Sequence, residues 1–293
     1  MPMLVIAGSF RVEQTQPNGD SMRFYPNDPG LWEEVEGDRR VQPNRRGGAQ
    51  LRFDGIDALE THYPLPGGSL PPFGHVVHQP LPLGHRASEW LLRWAGFQQV
   101  TRDADETVTD AIPESTDGYL LTRGADKYGR CVALVGRGRA PRRSGTFLSV
   151  TVQHLRATAN YGLLLAGLAY PTYYRKLYWD LRDAMTRAVL RAWPTRGVWR
   201  EDLTEAGTTI RGPADLFDRF VILPKLFRRL VDYLQLNDGD TSLSGFKHYL
   251  AEKDDRLYVL SLGRWTGFDN VIAVRNQTVR LMFPPEDLVF DEG

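Results

Sequence analysis

The chain has 293 residues, 42% of them hydrophobic and 25% charged, and its 36 Lys and Arg balance 36 Asp and Glu. This composition favours one or two globular domains and excludes a largely disordered or low-complexity protein. The single cysteine, Cys131, excludes an intramolecular disulfide framework and is typical of a reducing compartment. The first apolar run, 3–7, follows no basic leader and is too short for a secretory or membrane segment. It is therefore expected to be the first strand of a cytoplasmic protein.

The pattern of the first hundred residues predicts short strands separated by two long loops. Alternating and β-branched runs predict strands at 3–13, 20–25 and 49–56, while Pro, Gly and paired arginines predict loops at 26–48 and 61–83. Ala87, Trp90, Leu91 and Trp94 then recur at the spacing of one helix face. An amphipathic helix is predicted at 85–96.

The remaining elements fall into two groups on either side of residue 200. Before it, the pattern predicts strands at 118–123 and 131–136 and helices at 152–168 and 174–192. After it, a helical period over 214–235, interrupted at Pro224, precedes strand-like runs at 256–262, 270–275 and 278–283. We therefore predict two domains, 1–200 and 201–293, the second a small α+β module.

Phosphate chemistry is expected in the first domain, because residues 200–293 hold 12 basic against 16 acidic side chains. Asp20 follows the turn residues Asn18-Gly19, Asp57 and Glu60 lie at the end of a predicted strand, and carboxylates at strand ends can converge on a hard divalent cation. Taken alone, an Asp-x-x-Glu spacing more often marks solvated surface carboxylates. Likewise, the alternation in 51–57 predicts Leu51 and Phe53 on one face of a strand and Arg52 and Ile56 on the other, unless a bulge at Gly55 alters it, and Arg52 is by itself compatible with a surface cation.

Several short motifs occur in a fixed order along 1–200. They are Asn18-Gly19-Asp20-Ser21, Leu51-Arg52-x4-Asp57-x2-Glu60, Gly84-x2-Ala87, Asp126-Lys127-Tyr128-Gly129-Arg130 and Gly197-Val198-Trp199. Together they resemble the staphylococcal (thermonuclease-like) nuclease family, of which Asp-Lys-Tyr-Gly-Arg is the most specific element. The resemblance ends near residue 200.

The resemblance implies an OB-type five-stranded β-barrel with packed helices and the activity of a calcium-dependent endonuclease acting on DNA or RNA. Asp20, Asp57 and the main-chain carbonyl of Ala58 would bind Ca²⁺. Glu60 would be the general base for the attacking water. Arg52 and Arg130 would hold the scissile phosphate, because a guanidinium stays protonated and can donate two parallel hydrogen bonds.

The same resemblance implies that Lys127 and Tyr128 contact a neighbouring phosphate, and Tyr173 is a candidate for stacking on a base. The sequence departs from the family where Asn18, Ala58 and Leu59 replace the usual Asp, Thr or Ser, and Pro. A main-chain ligand tolerates alanine, whereas losing the proline removes a restraint on the turn before Glu60.

The sequence leaves several alternatives open. The first domain can be a non-catalytic OB-fold module that binds nucleic acid, or an interaction scaffold. His75 and His78 have the spacing of zinc ligands but lack a clear third ligand. The arginines at 137, 139, 142 and 143 can follow a nucleic-acid backbone or form a solvated loop. Residues 201–293 are expected to gate substrate, to self-associate or bind a protein partner, or only to extend the core.

Overall fold

Strands and helices are mixed throughout the chain, which is an α+β protein. The computed structural model describes residues 2–66, 68–70, 72–237 and 240–291. The strands are β1 (Pro2–Phe10), β2 (Arg23–Pro26), β3 (Ala49–Phe53), β4 (Ile56–Asp57), β5 (Tyr63–Pro64), β6 (Val76–Val77), β7 (Gln99–Arg102), β8 (Val108–Ile112), β9 (Thr116–Ala125), β10 (Cys131–Arg137), β11 (Thr146–Ser149), β12 (Tyr170–Pro171), β13 (Tyr173–Tyr174), β14 (Thr208–Thr209), β15 (Arg256–Val259), β16 (Arg264–Gly267), β17 (Ile272–Arg275), β18 (Thr278–Leu281) and β19 (Leu288–Phe290).

The helices follow the predicted positions in most cases. They are α1 (Leu81–Ala95), α2 (Val152–Arg156), α3 (Ala159–Ala166), α4 (Trp179–Ala192), α5 (Pro213–Asp218), α6 (Pro224–Leu236), α7 (Phe246–Glu252) and α8 (Phe268–Val271), with short 3-10 helices at Pro29–Trp32, Gly197–Arg200 and Pro285–Asp287. In the described ranges no helix has the length and apolar character needed to cross a membrane.

The largest sheet is mixed and is formed by strands of the first 150 residues. Strand β1 is antiparallel to β11, β2 and β9, and β2 is antiparallel to β3. Strand β10 is parallel to β3 and antiparallel to β9. The pairings β1–β2, β2–β3, β3–β10, β10–β9 and β9–β1 therefore return to the strand at which they began.

The period of two in β3 determines which side chains face the interior of this sheet. Ala49, Leu51 and Phe53 are buried, and the intervening Gln50 and Arg52 face the other way. Leu51 and Phe53 lie on one face as the sequence predicts. Ile56, predicted to share the face of Arg52, is instead buried, because the chain turns at Gly55 with φ +76°.

Three predicted helices differ from the observed ones, the first because α1 begins at Leu81 rather than at residue 85. The run 152–168 is divided into α2 and α3, since Thr158 ends one helix and caps the next by accepting from the Tyr161 N–H. The helix predicted from 174 begins at 179, because Tyr173 and Tyr174 form a strand parallel to β19. That partner strand lies more than a hundred residues later in the chain.

Residues on both sides of position 200 pack together. Besides the β13–β19 pairing, the Phe73 ring lies 4.7 Å from that of Phe217, centroid to centroid. The amide nitrogen of Gln79 donates to the carbonyl of Ile222 at 2.8 Å. The buried apolar side chains of both parts form one continuous core. The candidate active site lies where the parts before and after residue 200 meet.

Candidate active site

Asp20 lies in the segment between β1 and β2, at a point where the backbone passes very close to its neighbours. A Cβ atom at Gly19 would be 2.6 Å from the methyl carbons of Ala58 and Ala87. Because glycine permits this approach, the Asp20 carboxylate reaches the main chain after β4. Its Oδ2 accepts from the Ala58 N–H at 3.1 Å. Three of the sequence motifs are thus joined by packing.

Asp57 ends β4 and is 1% exposed. Its position is fixed by the pairing of β4 with β12, in which Asp57 is opposite Tyr170. The turn before it requires Gly55, where a Cβ atom would be 2.8 Å from atoms of Leu177 and Met185. The carboxylates of Asp57 and Asp20 lie close enough for each to shift the pKa of the other. The two predicted metal-binding aspartates therefore lie side by side.

Glu60 is held from behind by Gln79, a fully buried residue that was not predicted to belong to the site. The Glu60 N–H donates to Oε1 of Gln79 at 3.2 Å, and the Gln79 N–H donates to the Glu60 carbonyl at 2.7 Å. The Gln79 amide nitrogen also bonds to Ile222. Gln79 therefore ties the backbone of the predicted general base to the C-terminal part, and a glutamine in a Pro-rich loop gives no sequence pattern that reveals it.

Arg52 projects from β3 toward these carboxylates and toward Tyr174. Its Nη2 donates to the Tyr174 hydroxyl at 3.3 Å, and its Cζ lies 5.4 Å from the centre of that ring. Burial disfavours ionisation of Tyr174, but the positive charges of Arg52 and Lys225 lower its pKa below the ordinary value. Tyr174 is thus a second site residue that the sequence pattern did not single out.

Arg130 lies in the hairpin turn between β9 and β10 and is paired with Asp126. Its Nε donates to Oδ2 of Asp126 at 2.7 Å. The other Asp126 oxygen, Oδ1, accepts from the backbone N–H groups of Tyr128 and Arg130, both at 2.9 Å. The five-residue motif therefore forms a self-contained turn in which Asp126 orients the guanidinium.

The register of the sheet places Arg130 near Arg52. Val132 is the partner of Arg52 in the parallel β10–β3 pair. Arg130, two residues earlier, lies in the turn that leads into β10, next to the pair Cys131 and Leu51 of the same register. Lys127 and Tyr128 lie in the same turn, and the Tyr128 ring is 66% exposed.

Tyr173, the predicted base-stacking residue, is fully buried. Its hydroxyl is 2.9 Å from Oγ1 of Thr186 on α4. The structure therefore gives its ring a packing position between β13 and α4. Aromatic residues at helical or strand spacing more often pack a core than stack on a ligand, and Tyr173 follows that rule.

Arg228, on α6, is the residue of the site that lies farthest away in sequence. Its Nη1 and Nη2 lie 3.2 and 2.6 Å from Oδ1 and Oδ2 of Asp57. Nη1 also donates to Oε1 of Glu60. One guanidinium from the C-terminal part thus engages one predicted metal ligand and the predicted general base.

Burial and neighbouring charges shift the three carboxylates in different directions. Burial raises the pKa of Asp20 to about 7, and the negative charges of Asp57 and Glu60 act in the same direction. Burial acts to raise the pKa of Asp57, but Arg228 and Arg52 outweigh it and hold that pKa below the ordinary value. Burial raises the pKa of Glu60, although Arg228 opposes this. Asp20 is therefore the carboxyl of the aspartate pair that takes up a proton first as the pH falls.

The histidine pair at 75 and 78 and the loop arginines are the other candidate sites that the sequence suggests. In the described ranges no three His, Cys, Asp or Glu side chains form a group able to hold a metal ion. His75 and His78 therefore belong to no such group, and Nδ1 of His78 lies 3.0 Å from the Gln79 carbonyl oxygen. Among the loop arginines, Arg137 donates to the carbonyl of Trp94 at 3.0 Å.

Comparison of the chain with protein-family models and with curated proteins gave no match. The function is therefore inferred from the residues of the site and their contacts.

Proposed function

We propose that this protein is a calcium-dependent nuclease of the staphylococcal type, with an OB-type barrel in residues 1–200. The closed circuit of five strand pairings, with β3 and β10 as its parallel pair, supports that barrel. The observation that carries the function is the convergence of Asp20, Asp57 and Glu60 with Arg52 from separate segments. These are the residue types that metal-assisted phosphodiester hydrolysis requires.

The aspartate pair fits a divalent cation. Two buried carboxylates in contact create a demand for positive charge, and Arg228 stands in for a cation at Asp57 in this structure. Asp20, Asp57 and the carbonyl of Ala58 would hold Ca²⁺, which prefers several oxygen ligands. When bound, the ion would neutralise phosphate charge and orient the substrate.

The other side chains have separate roles in the proposed reaction. Glu60 accepts a proton from water as the water oxygen bonds to phosphorus and the bond from phosphorus to the leaving oxygen breaks. Arg52 and Arg130 stabilise the negative charge on the phosphoryl oxygens. Lys127 and the exposed ring of Tyr128 contact the adjoining nucleotide. Tyr173 contributes through packing rather than through substrate contact.

The proposed partner is DNA or RNA in the cytoplasm. Residues 201–293 are proposed as an accessory module that controls access to the site, and their remaining surface is the candidate for self-association or a protein partner. Their net negative charge makes them a poor general surface for phosphates. Arg228 is the specific exception, because it is directed into the site.

A second candidate function is a non-catalytic OB-fold module that binds nucleic acid. One observation favours it: Arg228 holds both Asp57 and Glu60, so the base and a metal ligand are engaged within the protein. A binding module would keep such a pairing permanently, whereas an enzyme must release it during turnover.

Cleavage assays separate the two candidates. Full-length protein is incubated with plasmid, single-stranded DNA and RNA, each with Ca²⁺, Mg²⁺ or chelator. The nuclease proposal expects calcium-dependent cleavage by the wild type and by the control Glu252→Gln, whose carboxylate is exposed, and little by Glu60→Gln. Nucleic-acid binding without cleavage, in the wild type and in Arg228→Gln alike, would establish the binding module instead.

A further inference from the structure

Arg228 reaches the site from a helix that is firmly held. The apolar face of α6 is buried through Leu226, Phe227 and Leu230. Its polar face, which would ordinarily be solvated, is covered and paired. Lys225 and Arg229 both bond to Asp255, at 3.1 and 2.6 Å. These contacts hold the helix independently of Arg228.

The guanidinium of Arg228 and a divalent ion require the same atoms. Both oxygens of Asp57 accept from Arg228 in a two-bond fork, and the same guanidinium bonds to Glu60. A cation held by Asp20 and Asp57 needs at least one of those Asp57 oxygens. Because the guanidinium and the divalent ion are both positive and repel each other at short range, a guanidinium bound to Asp57 disfavours binding of the ion there, and the reverse.

The charges of the site also fit either occupant. The site holds the carboxyl groups of Asp20, Asp57 and Glu60, and the guanidinium of Arg52 faces them from the N-terminal part. Either a divalent ion or the guanidinium of Arg228 adds positive charge to this acidic group. The site therefore has a resident cation of its own that is weaker in charge than the metal but permanently tethered.

We propose that Arg228 is a further residue of this site, an internal cation that competes with the divalent ion for Asp57 and sets the metal concentration at which the site fills. This inference rests on the proposed function, because it assumes the aspartate pair binds a metal. Filling the site also frees Glu60 from Arg228, so metal binding and release of the general base occur together. The C-terminal part thereby determines the metal requirement of the N-terminal part.

Calcium binding to the full-length protein tests this directly. Isothermal titration with Ca²⁺ compares the wild type with Arg228→Gln, with Arg228→Lys and with Arg264→Gln, a control that removes an exposed arginine of the same part. Arg228→Gln is expected to bind calcium roughly 10- to 100-fold more tightly, the range typical of coupling between two ligands. The control is expected to match the wild type.

The lysine variant keeps the test informative if Arg228→Gln does not fold. Lysine retains the charge but cannot form the fork, so its affinity for calcium is expected to lie between those of wild type and Arg228→Gln. Equal or weaker calcium binding by folded Arg228→Gln would overturn the competition while leaving the metal centre in place. Failure of every variant to bind calcium would overturn both the competition and the calcium centre of the proposed function.

Discussion

Arg228 and Asp57, 171 residues apart in the chain, form a two-bond fork in which Nη1–Oδ1 is 3.2 Å and Nη2–Oδ2 is 2.6 Å. The Asp57 side chain is 2% exposed and that of Arg228 19%. A carboxylate this buried is stable only with a partner. The fork therefore couples the folding of the C-terminal part to the chemistry proposed for the N-terminal part.

Loss of one partner from this fork is expected to destabilise the protein strongly. Arg228→Met leaves Asp57 and Glu60 uncompensated and is expected to lower the free energy of unfolding by about 3 kcal/mol. The double variant Arg228→Met with Asp57→Asn should lose less than the sum of the two single changes, since the asparagine leaves no buried charge at position 57. Urea unfolding in chelator measures all four proteins. Strict additivity would show that the fork contributes nothing.

The proposed catalytic unit predicts severe effects of conservative changes. Glu60→Gln removes the base, and Arg130→Lys removes the planar fork, so each is expected to lower the cleavage rate by about a hundredfold. Steady-state cleavage of a defined oligonucleotide in calcium measures this, with Arg264→Lys as the matched control. Near-wild-type turnover by folded Arg130→Lys would contradict its assignment.

The raised pKa of Asp20 predicts a pH dependence of stability in chelator. The pKa of Asp20 is about 7 in the folded protein and 3.8 for an unperturbed aspartate. At pH values between these two, the folded state therefore holds a proton on Asp20 that the unfolded state has lost. The contribution of this proton to the free energy of unfolding is complete below about pH 4. It is lost as the pH rises to about 7, by at most about 1.4 kcal/mol per pH unit. Asp20→Asn mimics the protonated form and should lack this loss. Parallel stability profiles of the two proteins across this window would contradict the shift.

Two tyrosines of the predicted substrate site are expected to behave differently. Tyr173→Phe removes only the buried bond to Thr186, so it should leave KM unchanged and cost about 1 kcal/mol of stability. Tyr128→Ala removes an exposed ring beside Lys127 and should raise KM. Kinetics and urea unfolding of both variants test this. A raised KM in Tyr173→Phe would restore that residue to the substrate site.

The predicted domain boundary is tested by a protein ending at residue 200. Such a protein loses β19, which pairs with β13, and leaves the buried amide of Gln79 without its Ile222 partner. It is expected to aggregate or to unfold without a cooperative transition, because the apolar surface of the shared core becomes exposed. Size-exclusion chromatography and thermal unfolding measure this. A monomeric protein with a sharp transition would confirm 1–200 as an independent domain.

Local pattern sufficed for the elements with strong periodicity and for residues near one another in sequence. The alternation in β3 correctly placed Leu51 and Phe53 on one face, and the helical spacing located α1 and α4. It missed the β7–β8 hairpin and α7, whose short runs carry little period. It also assigned Tyr174 to a helix, since the strand partner that extends it is at 288–290.

What the sequence by itself determined is which residues of the N-terminal part are candidates for chemistry, namely Asp20, Arg52, Asp57, Glu60 and Arg130, because the motifs that carry the nuclease resemblance are short and local. Only the tertiary structure decided which positive group neutralises Asp57 and Glu60. On an amphipathic helix, Arg228 belongs to the polar face and gives no sign of burial. Its partner is chosen by the packing of α6 against the site, and an ion pair between residues 171 positions apart depends on that packing rather than on any local preference.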